Sequence, residues 1–523
     1  RGYHYGPLHS RSNYSPVLLF PQAMVMRYLG RRAELPALWV YYATRLAGLL
    51  TYTLLAWLAV RWLPFGKWIL MVLAAAPIAV YQSATISADS ISNGIGLLFI
   101  SGCLAIQARE RLGWKEWGEL VLLTALLFTA KPNLFPLAVL PFLLIPPSRF
   151  TKRSLYLLWM AAAVVLFAVI VLGWNAISPN AGLAASGEVN ASEQLRYILS
   201  HPLVFIRTIL GDLWAQWPRH LRQWVGVYGY GYGNVPILTY VLFAIGLGLA
   251  LLVRTEAQAP ERRVRIILVV FFAAAYLFTM VALYLTFTAV AEEFVYGVQG
   301  RYLIPIFPLL FLALYDLPAL RRFKAGKPLV LTFAIGALAV YIFGLVLSYH
   351  VNCGTTIYNR GLCFQPVYKN FLPLTHSSPP LSAGTSLVQE FTPTCNGLTA
   401  MQVRVNSPGT DPNGGMLIRL HDEQQNSDLF EKTVKVNELL EDAWYAVSFD
   451  PIWDSAGKAY NLSITGMNAP AGEGPRLAYS IRPEYPAGVL YENGKALEDD
   501  VLFQYGCLTG LDQWLKTHTQ VKP

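Results

Sequence analysis

A chain of 523 residues that is 54% hydrophobic and only 14% charged is too apolar for an ordinary soluble protein, and it is long enough for more than one domain. Its net charge of +9 is unevenly placed: residues 351–523 hold 12 Lys and Arg against 18 Asp and Glu, net −6, which leaves +15 on residues 1–350. That excess sits in short clusters between apolar runs, as positive-inside orientation produces, so no nucleic-acid partner is required.

In chain order, about ten runs are apolar enough to be membrane helices: 38–60, 68–85, 91–108, 120–130, 134–145, 155–174, 235–253, 266–288, 303–317 and 329–349. A hydrocarbon core of about 30 Å takes roughly 20 apolar residues, fewer where re-entrant geometry shares the span. The fourth and fifth runs are short and are separated by Lys131-Pro132-Asn133. The basic connections, with Arg61 and Lys67 and then 109–115, 149–153, 254–265 and 321–327, fall at alternate loops and define one cytoplasmic side of a plasma membrane. The opposite side then holds residues 1–35, 87–90, 131–133, 175–234, 289–301 and everything beyond 349.

The cysteines provide a separate indication. Cys353, Cys363, Cys395 and Cys507 all fall outside, an even number suited to disulfides, whereas Cys103 is alone in a membrane run. Spacing does not dictate connectivity; the expectation is Cys353 with Cys363 and Cys395 with Cys507. Within the outer loop 175–234, residues 195–224 mix Trp214, Trp217 and Trp224 with Arg207, Arg219 and Arg222 at helical spacing. They read either as an interfacial amphipathic helix or as an aromatic belt. After residue 349 the period changes to two, with strands expected at 398–405, 416–420, 444–449, 460–465, 477–481 and 501–505, separated by Gly, Pro, Asn and Asp clusters. The fold class is therefore a polytopic α-helical membrane domain over 1–350, followed by an extracytoplasmic all-β sandwich, most simply a jelly roll, over 351–523.

Charged groups at the outer ends of membrane helices are costly unless they meet water, a partner or a substrate. Asp89, within Ser87-Ala88-Asp89-Ser90, is either an N-cap of the next helix or a base or metal contact. Lys131 is either a snorkelling lysine or a phosphate ligand. Glu292 and Glu293 open a loop that ends in Gln299-Gly300-Arg301-Tyr302, either as partners of Arg301 or as acid-base groups beside it. His4 and His9 sit in an aromatic N-terminal stretch that reads better as exposed than as catalytic. No HExxH, Walker loop, paired CxxC or GxSxG appears, so metalloprotease, P-loop, zinc-site and α/β-hydrolase chemistry are unsupported. A divalent cation on the carboxylates is an open option for a cofactor.

Taken together, Asn13-Tyr14-Ser15-Pro16 with Phe20-Pro21-Gln22-Ala23, Ser87-Ala88-Asp89-Ser90 with Asn93, Ala130-Lys131-Pro132, residues 226–236 and Gln299-Gly300-Arg301-Tyr302-Leu303-Ile304-Pro305 resemble a domain-of-unknown-function group of predicted bacterial membrane proteins. That group is similar to GT-C glycosyltransferases such as the protein O-mannosyltransferases, and the resemblance covers about residues 10–350. It implies a membrane glycosyltransferase that moves a sugar from a polyprenyl-phosphate donor to a glycan, lipid or protein acceptor. Arg301, Lys131, Tyr14 and Asn133 would lie at the phosphate, with Asp89 and Glu293 for base or metal contact. GT-C members carry an acidic residue in their first outer loop, and this chain has no Asp or Glu before Glu34. Either that loop lies upstream of Arg1, in which case the resemblance implies an extra N-terminal helix and about eleven spans in all, or the activity has been lost. The alternative is a non-catalytic membrane scaffold or surface-assembly subunit whose β-sandwich binds a partner or glycan. A transporter fits less well, since few ionisable residues lie within the apolar runs.

Overall fold

The computed structural model describes residues 14–33, 35–177, 189–228, 235–256, 258–320, 324–348, 375–481 and 483–508, with the backbone alone of 362–364. The chain divides into two compact units, Arg1–Ile342 and Phe343–Pro523.

Among its described residues the first unit is built of helices and their connections, with an isolated bridge between Leu112 and Phe150. Its α-helices are α1 (Phe20–Arg27), α2 (Ala37–Trp62), α3 (Lys67–Ala74), α4 (Pro77–Ser83), α5 (Asp89–Gln107), α6 (Trp114–Thr129), α7 (Leu140–Leu144), α8 (Arg153–Leu166), α9 (Gly173–Ile177), α10 (Ala191–Ser200), α11 (Pro202–Val225), α12 (Ile237–Leu252), α13 (Arg262–Thr286), α14 (Phe307–Ala313) and α15 (Lys327–Val346). All ten apolar runs fall on helical segments, yet only five described helices are long and apolar enough to cross a membrane. These are Ala37–Trp62, Asp89–Gln107, Arg153–Ile177, Arg262–Thr286 and Lys327–Val346. The count becomes six if the bent pair Ala191–Ser200 and Pro202–Val225 forms one span.

Proline explains most of the shortfall, because it removes an amide donor and restricts the residue before it. The run 68–85 breaks ahead of Pro77 into α3 and α4. The run 134–145 becomes a 3-10 segment, Pro132–Val139, with Pro136 inside it, joined to α7 with Pro141 in its first turn. The run 303–317 keeps only the short α14, with Pro308 in its first turn. Within residues 175–234 the amphipathic expectation corresponds to two helices, α10 and α11, bent by 107° where His201 meets Pro202. Leu203 and Trp214 on α11 are each 80% exposed.

Among the spans α5 is the exception in burial: 94% of its apolar window lies inside the unit, against 17–28% for the other four. Small residues make this possible. A Cβ on Gly96 would stand 2.6 Å from the Cβ of Pro305, so glycine here lets the chain segment after Tyr302 lie directly on α5.

The second unit is all-β. Its strands are β1 (Leu362–Phe364), β2 (Thr375–Ser377), β3 (Ser386–Phe391), β4 (Leu398–Ser407), β5 (Gly415–Asp422), β6 (Ser427–Lys435), β7 (Ala443–Ile452), β8 (Tyr460–Met467), β9 (Arg476–Ser480), β10 (Leu490–Glu492), β11 (Lys495–Leu497) and β12 (Phe503–Leu508). One six-stranded sheet runs β1-β12-β4-β9-β2 with β7 also on β4; the other runs β11-β10-β3-β8-β5-β6. Strands within each sheet pair antiparallel. Alternation is strict on β8, where Tyr460, Leu462 and Ile464 face inward. These meet Phe391 and Leu420 from their own sheet and Met401, Val403 and Phe503 from the other in one apolar core.

Cys395 and Cys507 form a disulfide across that core, 112 residues apart in sequence. Cys353 and the Cys363 side chain lie outside the described residues, as does any bond between them. All six expected strands are present, and six more were not expected.

Candidate functional site

Asp89 occupies the first turn of α5, but it is not a cap: the N-cap position belongs to Ala88, and no side chain closes the helix there. The carboxylate turns instead to Lys131, whose Nζ forms an ion pair and hydrogen bond with Oδ1. The two side chains are 9% and 12% exposed, so this is a buried pair rather than a snorkelling lysine beside a helix end. Because α6 ends at Thr129 and Pro132 forbids its continuation, Lys131 is held extended between two apolar segments. Its amide donates to Ser92 Oγ at 3.0 Å, which fastens the Lys131 backbone to α5 one turn below Asp89.

Two aromatic rings complete the cation's surroundings. Lys131 Nζ stands 5.0 Å from the centroid of Tyr14 and 5.9 Å from that of Tyr302. Burial drives the lysine pKa down, but the Asp89 charge, together with Tyr14 and Tyr302, outweighs it and leaves a net rise, so the ammonium stays charged. The guanidinium of Arg301 lies 5.6 Å from the same Tyr302 ring. Asn133 Nδ2 makes a long 3.5 Å contact to the Tyr302 carbonyl. The structure therefore gathers Asp89, Lys131, Tyr14, Asn133 and Arg301 around Tyr302. Glu293 is exposed on the segment before the turn, and among the described residues no hydrogen bond or ion pair connects it to that group.

Several contributors were not singled out from sequence as site residues. Tyr302 bridges the two cations. Asn93, one turn after Asp89 and 5% exposed, has an Nδ2 donor without a hydrogen-bond partner; the four-residue spacing that stacks it on the Asp89 face was the available signal. Gln22, 1% exposed, donates from Nε2 to the Thr85 carbonyl at 2.9 Å, and Arg45 Nε donates to the Ala84 carbonyl at 2.6 Å. Together they clamp the turn that leads into Asp89. On the other flank, His220 Nδ1 and the Tyr276 hydroxyl share a 2.6 Å hydrogen bond between α11 and α13, close to the turn that carries Arg301.

The donor set does not suit a divalent cation. Such ions take several oxygen ligands, whereas Asp89 is a single carboxylate already facing an ammonium, and no group of three His, Cys, Asp or Glu assembles among the described residues. What the site holds is two cations, Lys131 and Arg301, beside the Tyr302 ring, the first of them paired with the Asp89 carboxylate.

A family model described as "Predicted membrane protein (DUF2142)" matches residues 4–310. No curated protein matches the chain.

Proposed function

The chain belongs to the DUF2142 family of predicted membrane proteins, and from that premise we propose that it is a GT-C-type glycosyltransferase moving a sugar from a polyprenyl-phosphate donor to an extracytoplasmic glycan, lipid or protein acceptor. The observation that carries this reading is the buried Asp89–Lys131 pair between the rings of Tyr14 and Tyr302, with Arg301 on the second ring. In this proposal the donor phosphate takes Asp89's place on Lys131 and is shared with Arg301, whose planar fork suits a phosphate. Asp89, released, accepts the proton of the acceptor hydroxyl as its oxygen bonds to the sugar's anomeric carbon. The bond from that carbon to the phosphate oxygen breaks, and polyprenyl phosphate leaves with its charge balanced by the two cations. Glu293 is the second carboxylate assigned to the acceptor side. The β unit, as a jelly roll in the same compartment, would hold the acceptor.

A non-catalytic scaffold is the second reading, favoured by one feature: Asp89 and Lys131 neutralise each other as structural pairs do. The test is transfer by the purified full chain from a panel of labelled polyprenyl-phosphate sugars to membrane acceptors. An enzyme transfers label and loses about 100-fold or more on Arg301→Ala. Undiminished transfer by a folded Arg301→Ala protein would remove Arg301 from the site, and absence of transfer from every donor would favour the scaffold.

A further inference from the structure

The short apolar stretch Pro132–Leu144 starts at Lys131 and ends beside the first turns of α13. There a hollow of about 480 Å³, open at the surface, is lined by Leu143, Arg262, Arg263, Ile266 and Ile267. It lies at the far end of that stretch from Asp89 and Lys131, and the proposed transfer chemistry makes no use of it.

Its walls have two characters. Ile266 is 54% exposed and begins a flank of α13 that continues through Val270, while Leu143 is 46% exposed on the neighbouring α7. Because α13 is a candidate span, this flank is surface that hydrocarbon would cover. The rim is cationic. Residues 261–265, Glu-Arg-Arg-Val-Arg, carry a net +2. Arg265 is occupied within the fold, donating to the carbonyls of Pro260 and Ala313. Arg262 and Arg263 are exposed, and neither forms an ion pair with a described carboxylate. Arg263 Nη2 donates to the Leu143 carbonyl at 2.9 Å, which closes one side of the hollow and leaves most of that guanidinium's five donors free to turn outward. The amino end of the 25-residue α13 adds the field of its unsatisfied amides.

We infer that this hollow binds one anionic phospholipid, its phosphate between Arg262 and Arg263 and an acyl chain against Ile266, Ile267 and Leu143. A free phosphate would leave the apolar volume unfilled, and a zwitterionic lipid would bring its own cation to the arginines. A basic rim joined to a hydrocarbon-lined hollow matches a molecule that is anionic at one end and aliphatic at the other.

The experiment is native mass spectrometry of the full chain in detergent, titrated with phosphatidylglycerol or with phosphatidylcholine of the same chains. Phosphatidylglycerol is expected to bind tighter, and Arg262→Gln to weaken it about fivefold, the share of one interfacial arginine. Arg262→Gln/Arg263→Gln should weaken it further and leave phosphatidylcholine unchanged. Ile266→Trp, which fills the hollow and keeps the arginines, should weaken both lipids. Equal binding of the two lipids, or full phosphatidylglycerol binding by Arg262→Gln, overturns the inference. So does displacement of phosphatidylglycerol by inorganic phosphate, since the hollow would then play no part. Arg262→Gln keeps the Arg263 bond to Leu143, so the test survives a misfolded double variant.

Discussion

The amide of Gly300 donates to Gln223 Oε1 at 2.9 Å, and the glycine lies so close to α11 that an added Cβ would stand 2.2 Å from the His220 carbonyl oxygen and 2.4 Å from the Trp224 nitrogen. Both neighbours are main chain and neither can rotate away. The turn that carries Arg301 and Tyr302 is therefore set by its contact with α11, 77 residues earlier in sequence.

Gly300→Ala is expected to force the turn off α11 and to destabilise the helical unit by about 1–3 kcal/mol, the usual range for overpacking. Thermal unfolding in detergent measures it. Because the shift moves Arg301, phosphate-linked donor binding should weaken as well. An unchanged melting temperature would mean that the close approach is not maintained in the protein.

Removing one partner of the Asp89–Lys131 pair leaves a buried, unpaired charge. Lys131→Met or Asp89→Leu alone is expected to cost about 3–5 kcal/mol, and the double variant Asp89→Leu/Lys131→Met much less. The same set separates the two functional readings: an enzyme recovers stability but not transfer in the double variant, whereas a scaffold recovers stability and shows no transfer with or without the pair. The measurement is a double-mutant cycle in melting temperature beside the transfer assay.

In the β unit, Asp500 Oδ2 accepts the amides of Glu484 and Tyr485 at 2.8 and 2.9 Å, and Oδ1 meets Gln389 Nε2 at 3.3 Å. Burial pushes the Asp500 pKa above its ordinary value, and Asp499 adds to the push, while the three donors pull back only in part. A carboxyl whose pKa is raised on folding binds its proton better in the folded state. Its stabilising contribution is full below the unfolded value, about 4, and is lost as pH rises through the raised folded value. Melting curves across mildly acidic pH should show wild type losing stability relative to Asp500→Asn as pH rises, with a slope of at most about 1.4 kcal/mol per pH unit. Wild type gaining stability relative to Asp500→Asn as pH rises would reverse the assignment.

Legibility in the sequence tracked how simply each residue's environment is written into local pattern. Hydropathy located the helical segments because their apolar runs are long, but it did not show where a run is broken by proline into shorter pieces, as at Pro77, Pro136 and Pro308. β8 was visible because its inward residues are all apolar. β3 was hidden because the inward position between Leu387 and Phe391 is Gln389, fully buried and hydrogen-bonded to Asp500 and Val501. β6 is an edge strand with only Val434 buried and with Asp428, Glu431 and Lys432 along it, so it carries no alternation to read. Asp89, Lys131 and Arg301 stood out because charge at the end of an apolar run is conspicuous. Asn93 and Gln22 lie in the motifs that carry the resemblance yet drew no role in the site, since a neutral amide at such a place looks like ordinary helix polarity until its partners are known.

The near-complete enclosure of α5 also bears on how the protein is made. With a mean hydropathy of 1.4, half that of α8 through α9, and with Asp89, Ser90, Ser92, Asn93 and Ser101 along its length, this helix is a poor solute for lipid by itself. Its stable place is among its neighbours, above all α2, which is synthesised before it. Nascent α5 should thus leave the insertion machinery in company, and substitutions that make the partner face of α2 bulkier should show first as failed insertion of α5 rather than as a folded protein with a weaker core.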